Sequence, residues 1–142
     1  MIDLRRADSR PAPAAPPVAA PNALRALPFD VLYIEDNRSN LDVLAAFFAP
    51  HAHVRLRTAA SGDSGLTMVS QRRPDVILLD IHLPGMDGYQ VLQRLRADPA
   101  LRDIPVIALS ADAMPHDVQR GLAAGFDRYI AKPVNLNALL GT

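Results

Sequence analysis

Short apolar runs alternate with amphipathic segments along most of this chain. The runs lie at residues 31–34, 54–58, 76–79, 104–109 and 127–130. Between the first two runs, Leu41, Leu44 and Phe48 recur at the spacing of one helix face. Five strands that alternate with helices predict a doubly wound, mostly parallel sheet with right-handed crossovers.

The ends of the helices and the polarity of one strand refine this prediction. Helices are expected to begin near Asn37, Ser61, Asp87, Met114 and Val134. Gly125 is the expected C-cap of the fourth helix. The run at 54–58 alternates apolar and basic residues, which is typical of a more exposed edge strand.

The central strand carries the first candidate for chemistry. In the stretch from Pro74 to Gly88, PDVILLDIHLPGMDG, a run of branched apolar residues between two turn signals ends at Asp80. Ligands of open parallel sheets bind at the carboxyl ends of the strands, so an acidic residue there is a functional candidate. Taken alone, Asp80 fits a turn-capping role equally well, because aspartate is common in turns.

Polar residues also follow three other strands. Glu35 and Asp36 follow the first strand, Ser110 the fourth and Lys132 the fifth. Neighbouring carboxylates repel one another unless a proton or a cation intervenes, and hard oxygen ligands favour Mg²⁺. From the carboxylates alone, an acidic rim without a metal remains the alternative. Ser110 and Lys132 supply a hydrogen bond and a point charge that suit a phosphoryl group, which predicts phosphoryl transfer to Asp80.

The composition excludes several other classes of protein. The 142 residues leave room for one domain with a core, and no segment approaches the ~20 apolar residues of a membrane span. Lys+Arg and Asp+Glu both number 15, so no basic excess indicates a nucleic-acid partner. The absence of cysteine excludes disulfides and thiolate chemistry. Residues 1–28 contain six of the 13 prolines, which predicts a flexible linker or tail.

Taken together, the motifs resemble the receiver domain of two-component response regulators, especially the receivers attached to hybrid histidine kinases. The resemblance covers residues 29–140 and rests on the Glu35-Asp36 pair, VILLDIHLPGMDG, ALSADAM and YIAKP, in that order. It implies a flavodoxin-like α/β fold with strand order 2-1-3-4-5 and helices on both faces. It also implies a receiver domain over 29–142, whose final helix of roughly two turns is shorter than usual for the family.

The resemblance assigns metal-binding roles to residues of three motifs. Asp80 would be the phosphoacceptor and a ligand of Mg²⁺. Asp36 would bind the metal directly, whereas Glu35 would act mainly through a bridging water. The backbone carbonyl of His82 would be a further ligand. The imidazole of His82 is a poor ligand for Mg²⁺, so its side chain is not counted among the ligands.

The resemblance also assigns the residues that respond to the phosphate. Ser110 would be the switch hydroxyl, Lys132 the phosphate-binding cation, and Tyr129 the aromatic residue whose rotamer reports the state of Ser110. Simple core packing is the alternative for Tyr129. The Lys132-Pro133 peptide is expected to be cis, an isomer that only X-Pro bonds adopt at modest cost. This isomer would aim the lysine at the phosphate.

Two residues beside the site are expected to control the lifetime of the phosphate. His82 and Asp112 flank the entrance, where they would influence how water reaches the acyl-phosphate. Ala111 is small, which should leave the phosphate accessible to a donor.

The expected partner is a histidine kinase or a histidine phosphotransfer protein in the cytoplasm. A homodimer through the last helices is the second expected interaction. About ten residues follow the fifth strand, so no effector domain is expected to be present. Beyond self-phosphorylation and autodephosphorylation, no enzymatic activity is expected. Two alternatives stay open: a pseudo-receiver that never takes phosphate, and an aspartate-nucleophile phosphatase of the haloacid dehalogenase type. Such phosphatases place a second aspartate where this chain has His82.

Overall fold

A five-stranded parallel sheet with four helices forms the part of the chain that a computed structural model describes, residues 29–132. The strands are β1 (Phe29–Ile34), β2 (Val54–Ala59), β3 (Val76–Asp80), β4 (Val106–Ser110) and β5 (Arg128–Ala131). The helices are α1 (Arg38–Phe48), α2 (Gly62–Gln71), α3 (Gly88–Ala97) and α4 (Pro115–Ala124). The order β2-β1-β3-β4-β5 confirms the flavodoxin-like fold and the position of β2 at an edge.

Three expectations lie outside the described residues. They are the linker over 1–28, the cis peptide at Lys132-Pro133 and the final helix over 134–140. Each stays a prediction.

The strand register brings the polar strand ends to one edge of the sheet. Ile34 is paired with Leu79, and Asp80 is paired with Leu109 one step further along β3. Ser110 is paired with Ala131, so Lys132 leaves the sheet beside it. Since all five strands are parallel, the polar residues at or directly after the ends of β1, β3, β4 and β5 converge at one edge of the sheet.

The core consists of two apolar layers, one on each face of the sheet, because successive strand residues point to opposite sides. Strand residues pack against α2 and α3 on the first face: Leu32, Ile34, Ile77, Leu79, Val106 and Ala108, with Val69, Val91, Leu92 and Leu95. Strand residues pack against α1 on the second face: Val31, Tyr33, Leu78, Ile107, Leu109 and Ile130, with Leu44 and Phe48. Buried on both faces, the central strands form a rigid platform for the residues at their ends.

The helix ends follow the sequence signals. Asn37, Ser61 and Asp87 are N-caps whose side chains accept backbone N–H groups from the first turn of α1, α2 and α3. Gly125 closes α4 with φ +118°, a left-handed conformation that glycine adopts without strain. The predicted C-cap of this helix is therefore confirmed.

Strand β4 begins at Val106 rather than at Ile104, where the apolar run starts. Pro105 has no N–H to contribute to a ladder, although its carbonyl accepts a hydrogen bond from the Ile77 N–H. The Ile104 N–H instead donates to the Leu101 carbonyl in a turn. Ile104 is buried, but as part of the loop before the strand.

Candidate functional site

Three carboxylates lie together at the carboxyl edge of the sheet. Oxygens of Glu35, Asp36 and Asp80 lie within 4.8 Å of one another. Glu35 and Asp80 are buried, with relative exposures of 1% and 3%, whereas Asp36 is exposed. Asp80 is the last residue of β3 and the acidic pair directly follows β1, so paired strands fix the spacing of the cluster.

The ammonium group of Lys132 bridges two of these carboxylates. Its Nζ lies 2.7 Å from Glu35 Oε1 and 3.2 Å from Asp80 Oδ1. Burial works to lower the pKa of Lys132, but the hydrogen bond to Glu35 and the charge of Asp80 outweigh it and raise that pKa. The lysine is therefore a fixed positive charge between the two buried acids.

Glu35 is held by more donors than Lys132 alone. Its Oε1 accepts hydrogen bonds from the Tyr33 hydroxyl at 3.0 Å and from Asn40 Nδ2 at 3.2 Å. Its Oε2 accepts the Asn37 N–H at 3.2 Å. Burial favours the neutral acid, but the hydrogen bonds from Lys132 and Asn37, among others, lower the pKa of Glu35 below its usual value. Glu35 is thus stabilised as an anion.

Asp80 is in a different electrostatic situation. Burial and the adjacent Glu35 raise the pKa of Asp80, although the His82 N–H donates to Asp80 Oδ1 at 3.1 Å and Lys132 lies nearby. Of the two buried acids, Asp80 is therefore the one whose charge is less compensated. This is the condition under which a divalent cation or a phosphoryl group with its own partners would be most favourable.

Ser110 is fully buried at the end of β4 and is tied to the residues around the entrance. Its Oγ accepts the Asp112 N–H at 2.9 Å and lies 3.4 Å from His82 Nε2. The same His82 nitrogen lies 3.1 Å from Asp112 Oδ2. The Tyr129 hydroxyl donates to the Asp112 carbonyl at 2.7 Å. One network therefore joins the proposed switch hydroxyl, the aromatic residue and the pair at the entrance.

The oxygen donors and the charge of the cluster suit a hard divalent cation. Three carboxylates and one lysine leave two uncompensated negative charges, and the exposed Asp36 gives solvent access. Among residues 29–132, this is the group of three or more His, Cys, Asp or Glu side chains whose ligand atoms lie close enough together to share a metal ion. Glu35, Asp36 and Asp80 are the side chains that would hold Mg²⁺, consistent with its preference for carboxylate and water oxygens.

All the residues singled out from the sequence lie at this edge, but two participants were missed. Tyr33 and Asn40 both donate to Glu35. A signal for Tyr33 was present, because residues two apart on a strand share a face. Tyr33 is also the hydroxyl-bearing residue in an otherwise aliphatic run. Asn40 carries no such signal, since its contact with Glu35 depends on the direction in which the first turn of α1 runs relative to the end of β1.

The fold and this arrangement of acids, hydroxyl and lysine define the receiver class of signalling domains. A family model described as the response regulator receiver domain matches residues 31–142. The chain therefore belongs to the receiver domain family of two-component systems. None of the helices within residues 29–132 is long and apolar enough to cross a membrane.

Individual relatives agree with this assignment. The polar-differentiation response regulator DivK of Brucella anthropi is 35% identical over 116 residues, covering 82% of this chain and 94% of DivK. The transcriptional regulatory protein AfsQ1 of Streptomyces coelicolor is 41% identical over 104 residues, covering 73% of this chain. This chain spans only 44% of the length of AfsQ1, so the match concerns one part of that regulator.

A solved structure with a bound metal is also similar. The receiver domain of the sensor histidine kinase PA1611 from Pseudomonas aeruginosa superposes with a TM-score of 0.68 at 32% identity. The match covers 80% of this chain and 98% of that domain, which holds a magnesium ion in its active-site cleft.

Proposed function

We propose that Asp80 accepts a phosphoryl group from a histidine kinase or a histidine phosphotransfer protein in a reaction that requires Mg²⁺. The observation that carries this proposal is the position of Asp80. It is a buried carboxylate at a strand end, with Lys132 Nζ at 3.2 Å and two further carboxylates beside it. A turn-capping aspartate would not need a partly buried lysine and two other acids as neighbours.

The transfer is a substitution at phosphorus. An Asp80 oxygen forms the new P–O bond, while the P–N bond of the donor's phosphohistidine breaks. The electron pair of that bond stays on the imidazole nitrogen, which takes a proton from water. Bound Mg²⁺ would reduce the repulsion between the anionic nucleophile and the anionic phosphoryl group.

The protein's own groups position the nucleophile and compensate the product charge. The His82 N–H holds Asp80 Oδ1, which leaves the other carboxylate oxygen for attack. Lys132 already contacts Asp80 and is the cation that the phosphoryl group would attract. The Ser110 hydroxyl is the donor that can turn towards the phosphate, and the backbone carbonyl of His82 is the proposed fourth metal ligand.

The switch would pass from Ser110 to Tyr129. Ser110 Oγ accepts the Asp112 N–H, and the carbonyl of the same residue accepts the Tyr129 hydroxyl. A Ser110 that turns to the phosphate would give up its bond to Asp112 and release the loop that holds Tyr129. The Tyr129 ring packs against Gly121 of α4, so its movement would change the surface of that helix.

Phosphorylation by a small donor tests the proposed function directly. We expect acetyl phosphate to add the mass of one phosphoryl group to the protein when Mg²⁺ is present, and not when the metal is chelated. Intact-protein mass spectrometry measures the fraction modified. A wild-type protein that stays unmodified with Mg²⁺ would instead be a pseudo-receiver. Steady turnover of p-nitrophenyl phosphate would support the phosphatase alternative, which the presence of His82 two residues after Asp80 disfavours.

The lifetime of the phosphate is proposed to depend on His82 and Asp112. Their side chains meet at 3.1 Å, and the fully buried Ser110 has its Oγ 3.4 Å from His82 Nε2. The pair would therefore limit the access of water to this side of the site. We expect His82→Ala and Asp112→Ala each to accelerate dephosphorylation severalfold, because water gains access to the acyl-phosphate. The rate is measured by following loss of the phosphorylated species after the donor is removed.

A matched histidine elsewhere provides the control for this lifetime prediction. His116 Nε2 lies 3.3 Å from Asp117 Oδ1 in the first turn of α4, a His–Asp pair of similar geometry. We expect His116→Ala to leave the dephosphorylation rate unchanged. Rates that match wild type in both the His82 and Asp112 variants would contradict the proposed role of the pair.

The proposed signalling partner is the phosphodonor histidine protein, with the cytoplasm as the proposed location. Membership of the receiver family supports this partner, since receivers take their phosphate from such proteins. The homodimer predicted through the last helices depends in part on the final helix, which lies outside 29–132, and it stays a prediction.

A further inference from the structure

We propose that Tyr33 and Asn40 are positioning residues that hold the Glu35 carboxylate in its orientation for Mg²⁺ and keep it compensated while Lys132 serves the phosphoryl group. This inference rests on the proposed function of the site and adds two residues that act through Glu35. Neither side chain is part of the carboxylate cluster itself.

The geometry around Glu35 Oε1 is the first support. This oxygen accepts from Lys132 Nζ at 2.7 Å, the Tyr33 hydroxyl at 3.0 Å and Asn40 Nδ2 at 3.2 Å. The other oxygen, Oε2, accepts the Asn37 N–H at 3.2 Å. Three donors on one oxygen fix the rotation of the carboxylate, so Oε2 is the oxygen that remains available for a metal or its water.

The rigidity of Tyr33 is the second support. Its side chain is 1% exposed and belongs to the buried layer on the α1 face of the sheet, together with Leu44, Leu78 and Leu109. The ring is therefore held by packing, and its hydroxyl has a defined direction.

The position of Lys132 explains why Glu35 would need two further donors. The same ammonium group serves Glu35 and Asp80. A phosphoryl group on Asp80 adds negative charge and would draw Lys132 towards it. Glu35 would then be a buried anion that has lost its nearest cation. Tyr33 and Asn40 would remain in place as donors, so Lys132 can move without leaving Glu35 unpaired.

A purely structural role is the competing explanation. In that case Glu35 is simply the acceptor that satisfies the buried Tyr33 hydroxyl. Removing this hydroxyl would then change the stability of the protein and not its affinity for Mg²⁺. The two roles differ in metal affinity, because groups that orient a ligand typically change affinity by about 10–100-fold when removed. Tyr33→Phe is the suitable substitution, since it deletes the hydroxyl and retains the packed ring.

Calorimetric titration of the unphosphorylated protein with Mg²⁺ tests the proposal. We expect Tyr33→Phe to weaken Mg²⁺ binding by about 10-fold and to slow phosphorylation by acetyl phosphate at a fixed Mg²⁺ concentration. Asn40→Ala should weaken Mg²⁺ binding in the same direction. Tyr89→Phe is the control for loss of a hydroxyl beside the site, because Tyr89 lines the same cleft as Asp36 and His82 while its ring contacts Phe126 and Arg120. It should bind Mg²⁺ as wild type does.

A double-mutant cycle shows whether Tyr33 acts through Glu35. In a Glu35→Gln background, Tyr33→Phe should cause little further loss of Mg²⁺ affinity, because the carboxylate that it orients is already gone. Wild-type Mg²⁺ affinity in Tyr33→Phe, with or without lower stability, would overturn the inference and leave the proposed function intact. A wild-type protein that binds no Mg²⁺ would overturn the proposed function itself and this inference with it.

Discussion

Asp80→Asn is expected to abolish phosphorylation by acetyl phosphate and by any histidine donor. The substitution keeps the size and shape of the side chain and replaces the nucleophilic carboxylate with an amide. Asn can still accept the His82 N–H, which Asp80 accepts at 3.1 Å, so the turn should keep its geometry. Intact-protein mass spectrometry should show no phosphorylated species under conditions in which wild type is modified.

The Asp80→Asn protein should remain folded, so that the loss is a loss of chemistry. Burial and the neighbouring Glu35 raise the pKa of Asp80, which means that the folded state disfavours its charged form. A neutral amide removes this cost, and Lys132 keeps Glu35 as a partner at 2.7 Å. Without Mg²⁺, we expect a free energy of unfolding equal to or above that of wild type, as measured by urea denaturation.

Asp103→Asn is the matched control for this prediction. Asp103 is exposed and precedes β4, at the amino edge of the sheet. The same chemical change there should leave phosphorylation unaltered. If Asp80→Asn were modified as fast as wild type and Asp103→Asn, another residue would be the phosphoacceptor and the proposed site would be wrong.

The sequence predicted the fold and most of the site because both depend on local signals at the ends of strands. Branched apolar runs specify buried strands, and helical spacing between them specifies a doubly wound sheet. In a parallel sheet, the carboxyl ends of all strands lie at the same edge, so the residues after the apolar runs are neighbours. Asp80, Ser110 and Lys132 could thus be placed together from strand assignments alone, and the observed register agrees.

What escaped prediction depends on contacts between distant segments. Arg57 lies in a strand expected to be exposed, yet its Nε contacts buried Asp30 at 2.9 Å and its Nη2 donates to the Arg72 carbonyl at 2.9 Å. Strand assignments place Lys132 and Glu35 at the same edge, but they do not predict the 2.7 Å contact between these residues, which are 97 positions apart in sequence. No periodicity encodes such pairs, because they arise from the packing of whole elements.

The apolar run of β4 gave the wrong first residue for a related reason. Hydrophobicity records burial, and Ile104 is fully buried. Ladder pairing also requires backbone donors, which Pro105 lacks. A run of apolar residues therefore predicts the core more reliably than it predicts where a strand begins.

Gly88→Ala is expected to be strongly disruptive, because this glycine lets α3 approach the end of β3. A methyl group on Gly88 would lie 2.7 Å from Ile81 Cα and 2.8 Å from the Asp80 carbonyl oxygen. Both atoms belong to the backbone that positions the nucleophile. The Gly88 N–H also donates to the Ile81 carbonyl at 3.0 Å, which holds the two segments together.

Two opposing effects of Gly88→Ala can be compared in magnitude. Alanine is favoured over glycine in helix interiors by up to about 1 kcal/mol, and less at the first residue of a helix. Overpacking against atoms that cannot yield typically costs about 1–3 kcal/mol. The steric effect should win, so we expect a net loss of stability in urea denaturation followed by circular dichroism. Because the strain falls on Asp80, phosphorylation by acetyl phosphate should also slow markedly.

Gly85 lies in the loop between β3 and α3, three residues before Gly88. A substitution there separates the steric effect at Gly88 from a general intolerance of this region to substitution. Gly85 adopts φ +74°, and a Cβ there would meet no atom within 4 Å. Asparagine tolerates the left-handed conformation better than most residues, so Gly85→Asn should cost less than about 1 kcal/mol and retain phosphorylation. Equal stability and equal phosphorylation in Gly88→Ala and Gly85→Asn would contradict the close approach as the feature that positions Asp80. A loss confined to Gly88→Ala would tie the phosphoacceptor to the contact between α3 and β3.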